Sequence, residues 1–297
     1  FGLMLSDAAY GLIMVAGTAY CLTKFKNMEA GMKKFMKMFM YCGISTTFWG
    51  FMFGSFFGDA VNVIATTFFN RPDIRLAPLW FEPVSLPMKL LVFAFGLGIL
   101  HLFIGLGIKF YSCVKNGSLA DGIYDAIFWY MLVGGGIVYL LTMPMFTEML
   151  GLTFTLPAVA GTVAAYAAAI GFVGIVLTSG RESKNWVKRI LKGLYGAYGV
   201  SSYLSDILSY SRLLALGLAT SVISTVFNKM GSMMGGSIPG AIIFILVFLI
   251  GHSLNLAINA LGAYVHTNRL QYVEFFGKFY EGGGRKFEPF AVHTKYY

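Results

Sequence analysis

Ser209-Tyr210-Ser211-Arg212-Leu213-Leu214-Ala215-Leu216-Gly217-Leu218-Ala219 sets a single arginine in a run that is mostly apolar or small. No Asp or Glu occurs between Asp206 and Glu274, so no carboxylate close in sequence neutralises it. At bilayer depth a guanidinium costs roughly 3 kcal/mol on insertion scales. It cannot escape by losing a proton, because its pKa lies above about 12. A permanent charge kept at such a cost points to a use.

The rest of the chain shows that the setting is a membrane. Of 297 residues, 57% are hydrophobic and only 12% are charged, with a mean hydropathy of +0.72. Soluble domains run to about 25% charged residues. Crossing a bilayer takes about 20 apolar residues. Suitable stretches lie at about 8–23, 37–58, 89–111, 123–143, 157–178, 194–228 and 240–270, and residues 1–6 read as the end of one more. The fold class is therefore all-α integral membrane, with about eight transmembrane helices. The last two stretches outrun a ~30 Å hydrocarbon core at 1.5 Å rise per residue, so they are expected to be long and strongly tilted, broken, or protruding. Three parts follow: membrane helices and a peripheral scaffold bundle over 1–193, two long tilted channel helices over 194–275, and a C-terminal tail over 276–297. The chain opens on Phe1-Gly2-Leu3-Met4-Leu5 without a basic segment, so a large preceding N-terminal region is expected rather than a signal peptide.

Charge orients the helices. Alternating crossings put seventeen Lys and Arg on one side, including Lys24, Lys33, Lys37, Lys109, Arg181, Lys188, Arg269 and Arg285. The other side receives Arg71, Arg75, Lys89 and Lys229. This asymmetry predicts a cytoplasmic C-terminus and an outer position for Asp7. The loop at about 59–88, with four prolines, is the main outer excursion, expected to hold a short interfacial helix with Trp80 at headgroup depth. The net charge of +9 is thus accounted for by orientation in the bilayer, and no nucleic-acid partner is expected. Cys21, Cys42 and Cys113 show neither metal spacing nor a disulfide framework. Glu281-Gly282-Gly283-Gly284-Arg285-Lys286 lacks the phosphate-loop pattern, so no nucleotide or other cofactor is expected.

In the last span His252, Asn255, Asn259, Gly262, His266 and Arg269 recur at intervals of three and four, which is one face of one helix. Such a stripe must face protein or water. His252 and His266 lie four turns apart and cannot share a metal. In the preceding span Ser205, Ser209, Arg212, Leu216 and Thr220 share a face, with Asp206 on the flank. An ion pathway, an anionic-substrate site and structural hydrogen bonding all fit this pattern. In the structural reading backbone carbonyls and hydroxyls hold Arg212; otherwise, with no carboxylate on its face of its own span, its counter-charge is expected from another subunit or from a substrate.

Two long runs then narrow the choice. YLSDILSYSRLLALGLATSVIS (203–224) and LGAYVHTNRLQYVEFFGKFYEGGGRKFEPF (261–290) resemble subunit I, also called subunit a, of the V-type and A-type rotary ATPases. FGLMLSDAAYGLIM (1–14) resembles the start of that family's membrane domain. The resemblance implies a stator subunit beside a proteolipid rotor ring, with other stator and stalk subunits as further partners. Two offset half-channels would lead H⁺ or Na⁺ to ring carboxylates, separated by Arg212. It implies a second functional arginine at Arg269, and half-channel positions at Asp7, Ser205, Asp206, Ser209, Thr220, His252, Asn255, Asn259, His266 and Glu274. The subunit would translocate ions in a prokaryotic cell membrane without catalysing ATP chemistry itself.

Where many eukaryotic members carry His and Glu, this chain has Thr220 and Asn259; Tyr198 replaces a further acidic residue, so the ionisable set is of the prokaryotic kind. The rival is a secondary transporter holding an anionic substrate at Arg212 and Arg269. It predicts an internal repeat of paired broken helices, and no convincing repeat is visible.

Overall fold

In apolar surroundings every backbone N–H and C=O needs an internal partner, and a helix supplies it within one segment. The described residues are mostly helical. The computed structural model describes residues 1–152, 156–180, 186–280, 282–284 and 287. No strand occurs among the described residues. Arg181, Lys184, Arg285, Lys286 and Lys295, counted above in the charge asymmetry, lie outside them.

A single helical turn, α1 (Gly2–Leu5), precedes α2 (Ala8–Lys24) and α3 (Ala30–Phe53), which pack closely as a hairpin. α4 (Ala60–Phe69) fills the first part of the loop at about 59–88. Phe57 and Asn70, on either side of it, adopt positive φ angles of 53° and 51°. Trp80 and Phe81 lie in non-helical chain after Pro72 and Pro78, which supply no backbone N–H. There the Trp80 N–H donates to Met52 O at 2.9 Å, and the ring lies against Phe53 and Phe93. The helix of this loop therefore precedes the prolines, and Trp80 is held by an aromatic cluster.

Pro87 at the first position opens α5 (Pro87–Lys115), where its missing N–H costs nothing. α6 (Leu119–Leu141) contains two π turns, Ile123–Ile127 and Tyr130–Gly134. A short α7 (Pro144–Met149) leads to α8 (Ala158–Thr178). Three helices follow in quick succession: α9 (Trp186–Tyr198), α10 (Val200–Ser209) and α11 (Ser211–Ser232). The last long helix, α12 (Ile238–Arg269), runs on through a π turn (Leu270–Phe275) and a 3-10 turn (Phe276–Lys278).

Among the described residues five helical stretches are long and apolar enough to cross a membrane: Pro87–Lys115, Leu119–Leu141, Ala158–Thr178, Val187–Ser232 and Ile238–Lys278. α2 is shorter, at 17 residues, and α3 carries Lys33, Lys34 and Lys37 in its first half. The outward face of α8 is apolar in the manner of lipid contact, with Val163, Tyr166 and Ile170 all exposed.

The expected overlong run at 194–228 is broken. α10 gives way to α11 at Tyr210, whose N–H bonds Ile207 O at 3.1 Å while its carbonyl accepts from Leu213 N at 3.0 Å. These three-residue steps tighten the chain locally. Arg212 thereby becomes the second residue of a new helix. α11 and α12 pack along each other, and α1 and α5 both pack against α11. Their shared core holds Leu3, Met4, Leu90, Ala94, Tyr210, Leu213 and Ala263.

Candidate functional site

The side chain of Arg212 is 21% exposed, and it faces Glu274, which is 3% exposed. The Nη2 to Oε1 separation is 3.7 Å, so the two groups attract without sharing a hydrogen bond. Nη1 of Arg212 and Oε2 of Glu274 are both buried and have no hydrogen-bond partner. This corrects the expectation that the counter-charge comes from outside the chain. Glu274 is remote in sequence, but the π turn after α12 returns it to the start of α11. Antiparallel helices create such pairs, and a search along the sequence cannot see them.

A second ion pair lies beside the first. Lys278 Nζ meets Asp206 Oδ2, and the same ammonium sits 3.9 Å from the centroid of the Tyr203 ring. The two pairs join the same two stretches of chain with reversed polarity. Between them Tyr210 is anchored, its hydroxyl 2.5 Å from His101 Nδ1 on α5, and His101 stacks on Phe275 with centroids 4.1 Å apart. The break in the helix, the arginine and the π turn are thus tied together.

A separate polar network is buried between α2, α11 and α12. Asn228 Nδ2 donates to Phe57 O at 2.8 Å and to Asp59 Oδ1 at 2.9 Å. Its Oδ1 therefore faces His252 Nε2, 2.9 Å away, as the acceptor. In a neutral ring that leaves Nδ1 to accept from the Tyr10 hydroxyl at 2.6 Å. Asn255 Nδ2 reaches Tyr10 Oη, Ser224 Oγ and Thr220 O within 3.1 Å. Asn259 Nδ2 in turn donates to the Asn255 carbonyl and side-chain oxygen. The stripe predicted on the last helix is real, and its first three polar members are spent on partners within the chain.

Asp7 caps α2, accepting from Ala9 N and Tyr10 N. The same carboxylate accepts from Ser55 Oγ at 2.7 Å, Phe57 N at 3.1 Å and Gly58 N at 2.7 Å. It is buried and organises the turn before α4. Thr220 donates to Leu216 O, and Ser209 to Asp206 O, each within its own helical stretch. Ser205 and Arg269 are exposed and His266 is half-buried. Among the described residues no ion pair reaches Arg269.

Sequence reading misses Tyr10, His101, Ser224, Asn228 and Lys278. A signal was present for two of them: Thr220, Ser224 and Asn228 recur at four-residue intervals and form a stripe that faces the one on α12. Tyr10 and His101 lie on elements distant in sequence and carry no such mark.

The family model described as the V-type ATPase 116kDa subunit family matches residues 200–292, which contain both ion pairs. The A-type ATP synthase subunit I of Methanocaldococcus jannaschii is 32% identical over 317 aligned residues, covering 100% of this chain and 44% of the relative. The chain belongs to the subunit I family of A-type and V-type ATPases. The A-type ATP synthase subunit I of Thermococcus kodakarensis is 33% identical, with 98% of this chain and 41% of the relative covered. The V-type ATP synthase subunit I of Chlamydia trachomatis is 24% identical, with 97% and 49% covered. The chain spans less than half the length of these relatives. With its apolar helices, this subunit I family member is a multi-pass membrane protein.

Proposed function

We propose that this chain is the ion-translocating membrane part of a rotary ATPase stator, non-catalytic on its own. It crosses the membrane about eight times, with the last two spans tilted and the C-terminal end cytoplasmic. Its partners are a proteolipid rotor ring and the other stator and stalk subunits. H⁺ or Na⁺ enters one half-channel, rides on a ring carboxylate and leaves through the other.

One observation carries the reading. Arg212 is a permanent cation at the start of a membrane helix, partly exposed, with its donor fork not filled by hydrogen bonds from its own chain. A rotor carboxylate in lipid is neutral, being protonated or ion-bound, because its charged form is costly there. Opposite Arg212 the charged form is favoured, and the ion leaves. Rotation then carries the carboxylate out of that field, and it reloads from the other half-channel. Arg suits the task where Lys does not, since a buried lysine can shed its charge. The same charge repels a cation leaking straight between the half-channels.

Ser205, Ser209, His266 and Arg269 border these paths in this reading. Asp7, Asp206, Thr220, His252, Asn255, Asn259 and Glu274 shape them from behind, since each is buried or ion-paired with the chain itself. The test is Arg212→Gln in the full-length subunit of the assembled complex. ATP-driven ion pumping into vesicles is expected to vanish while the complex still assembles. Pumping at the normal rate would sink the proposal.

A further inference from the structure

Far from Arg212, α8 and α9 carry a surface to which the rotary reading gives no task. We propose that an anionic phospholipid binds there, its acyl chain in a groove between α6 and α8 and its phosphate on Lys188 and Lys192 of α9.

The groove is lined by Phe128 of α6 and by Ala169, Ile170, Val173, Gly174 and Leu177 of α8, and it holds about 390 Å³. Small-molecule sites run from about 300 to 1,000 Å³. At Gly174 the surface dips, because a Cβ there would lie 2.8 Å from the Phe128 ring. Ile170, Val173 and Leu177 are exposed beside it. No lining side chain carries a polar atom, so the part of a ligand held here is hydrocarbon.

Charge comes from α9. Arg189 Nε and Nη2 both donate to Leu177 O, at 3.1 and 3.0 Å, which fastens α9 to the end of the groove. A Cβ built on Gly193 would collide with Val176 O, and one on Gly196 would lie 2.7 Å from Ser179 Oγ. Residues 189–196 thus meet one turn at the end of α8, and α9 lies across that end. Val187, Ile190, Leu191 and Leu194 are exposed on one face of α9. Lys188 and Lys192, one turn apart, are exposed on the flank next to Arg189. An amphipathic helix with lysines along its polar side sits at headgroup depth. Among the described residues no ion pair reaches Lys188 or Lys192. Two free ammonium groups at the end of an apolar groove match a phosphate at the end of a hydrocarbon chain. The groove alone would accept any lipid, and the lysines select an anionic one.

The test uses the full-length subunit in the assembled complex, with Cys21, Cys42 and Cys113 replaced and Tyr166→Cys labelled with bimane. Tyr166 is exposed on α8, one turn before Ile170. The complex is reconstituted in phosphatidylcholine vesicles that contain either phosphatidylglycerol or phosphatidylcholine brominated on the acyl chains. Brominated phosphatidylglycerol is expected to quench the label at about fivefold lower content, the effect of one lysine at an anionic headgroup. Lys188→Gln/Lys192→Gln is expected to remove the difference. Equal quenching by the two lipids in the parent overturns the proposal, and so does a preference that survives in the glutamine variant. Quenching by neither lipid would mean that another part of the complex covers the groove, which overturns it too. If the glutamine variant does not assemble, salt decides. At about 1 M the Debye length falls to about 3 Å. The preference of the parent is then expected to vanish, and its persistence overturns the proposal. None of these outcomes bears on Arg212, so the rotary reading stands or falls separately.

Discussion

Asp7 shows how much a single carboxylate can hold at the start of a helix. It accepts five hydrogen bonds, two from the first turn of α2 and three from Ser55, Phe57 and Gly58. Its charge also sits where the helix dipole favours an anion. It holds Phe57 in the left-handed region, which costs a non-glycine residue about 1–2 kcal/mol. Asp7→Asn replaces one acceptor with a donor pointed at other donors. The loss is expected to be about 1–3 kcal/mol. A lowered thermal unfolding midpoint in detergent checks it, and an unchanged midpoint contradicts the capping account. At this scale the sequence reveals what is costly and says less about what repays it. Arg212 was legible because nothing near it in the chain could neutralise it. Glu274 and Lys278 were not legible as its surroundings, because their approach depends on how α12 ends.

At the scale of elements, the junction at Tyr210 decides where Arg212 points. α5 approaches it closely: a Cβ built on Gly98 would lie 2.8 Å from the Tyr210 ring. Gly98→Ala is therefore expected to push the ring aside, strain its bond to His101 and cost about 1–3 kcal/mol of overpacking. Loss of pumping in Gly98→Ala complexes that still assemble would place the effect at the junction; parent-like pumping and thermal stability would show that the ring has room to move. The break itself was hidden from sequence reading. No proline or glycine marks Ser209-Tyr210-Ser211, and the apolar run continues on both sides. Two shortened hydrogen-bond steps and a tertiary contact to His101 produce it. The polar stripe on α12 was legible through its period. Its burial was not, since the period fixes a face and leaves the neighbour open.

At the scale of the whole molecule, hydropathy and the placement of lysine and arginine gave a helical membrane protein with an orientation. Single cysteines introduced in a cysteine-free background test that orientation. Asn27→Cys, between α2 and α3, is expected to react with an impermeant maleimide only from the cytoplasmic side. Ile74→Cys, in the loop after α4, is expected to react only from the other side. Labelling of both from one face would overturn the crossing pattern. The cysteines to be replaced are Cys21, Cys42 and Cys113, all of which are free thiols.

The π turn over Leu270–Phe275 carries one residue more than a regular helical turn would use. Removing a residue from 270–273 would rewind it, turning everything downstream by about 100°. Glu274 would leave Arg212, and Lys278 would leave Asp206, in the same stroke. The electrical balance of the centre is thus set by a head-count of residues, so relatives in which this segment gains or loses one position should be read as different motors at this point, however similar their side chains.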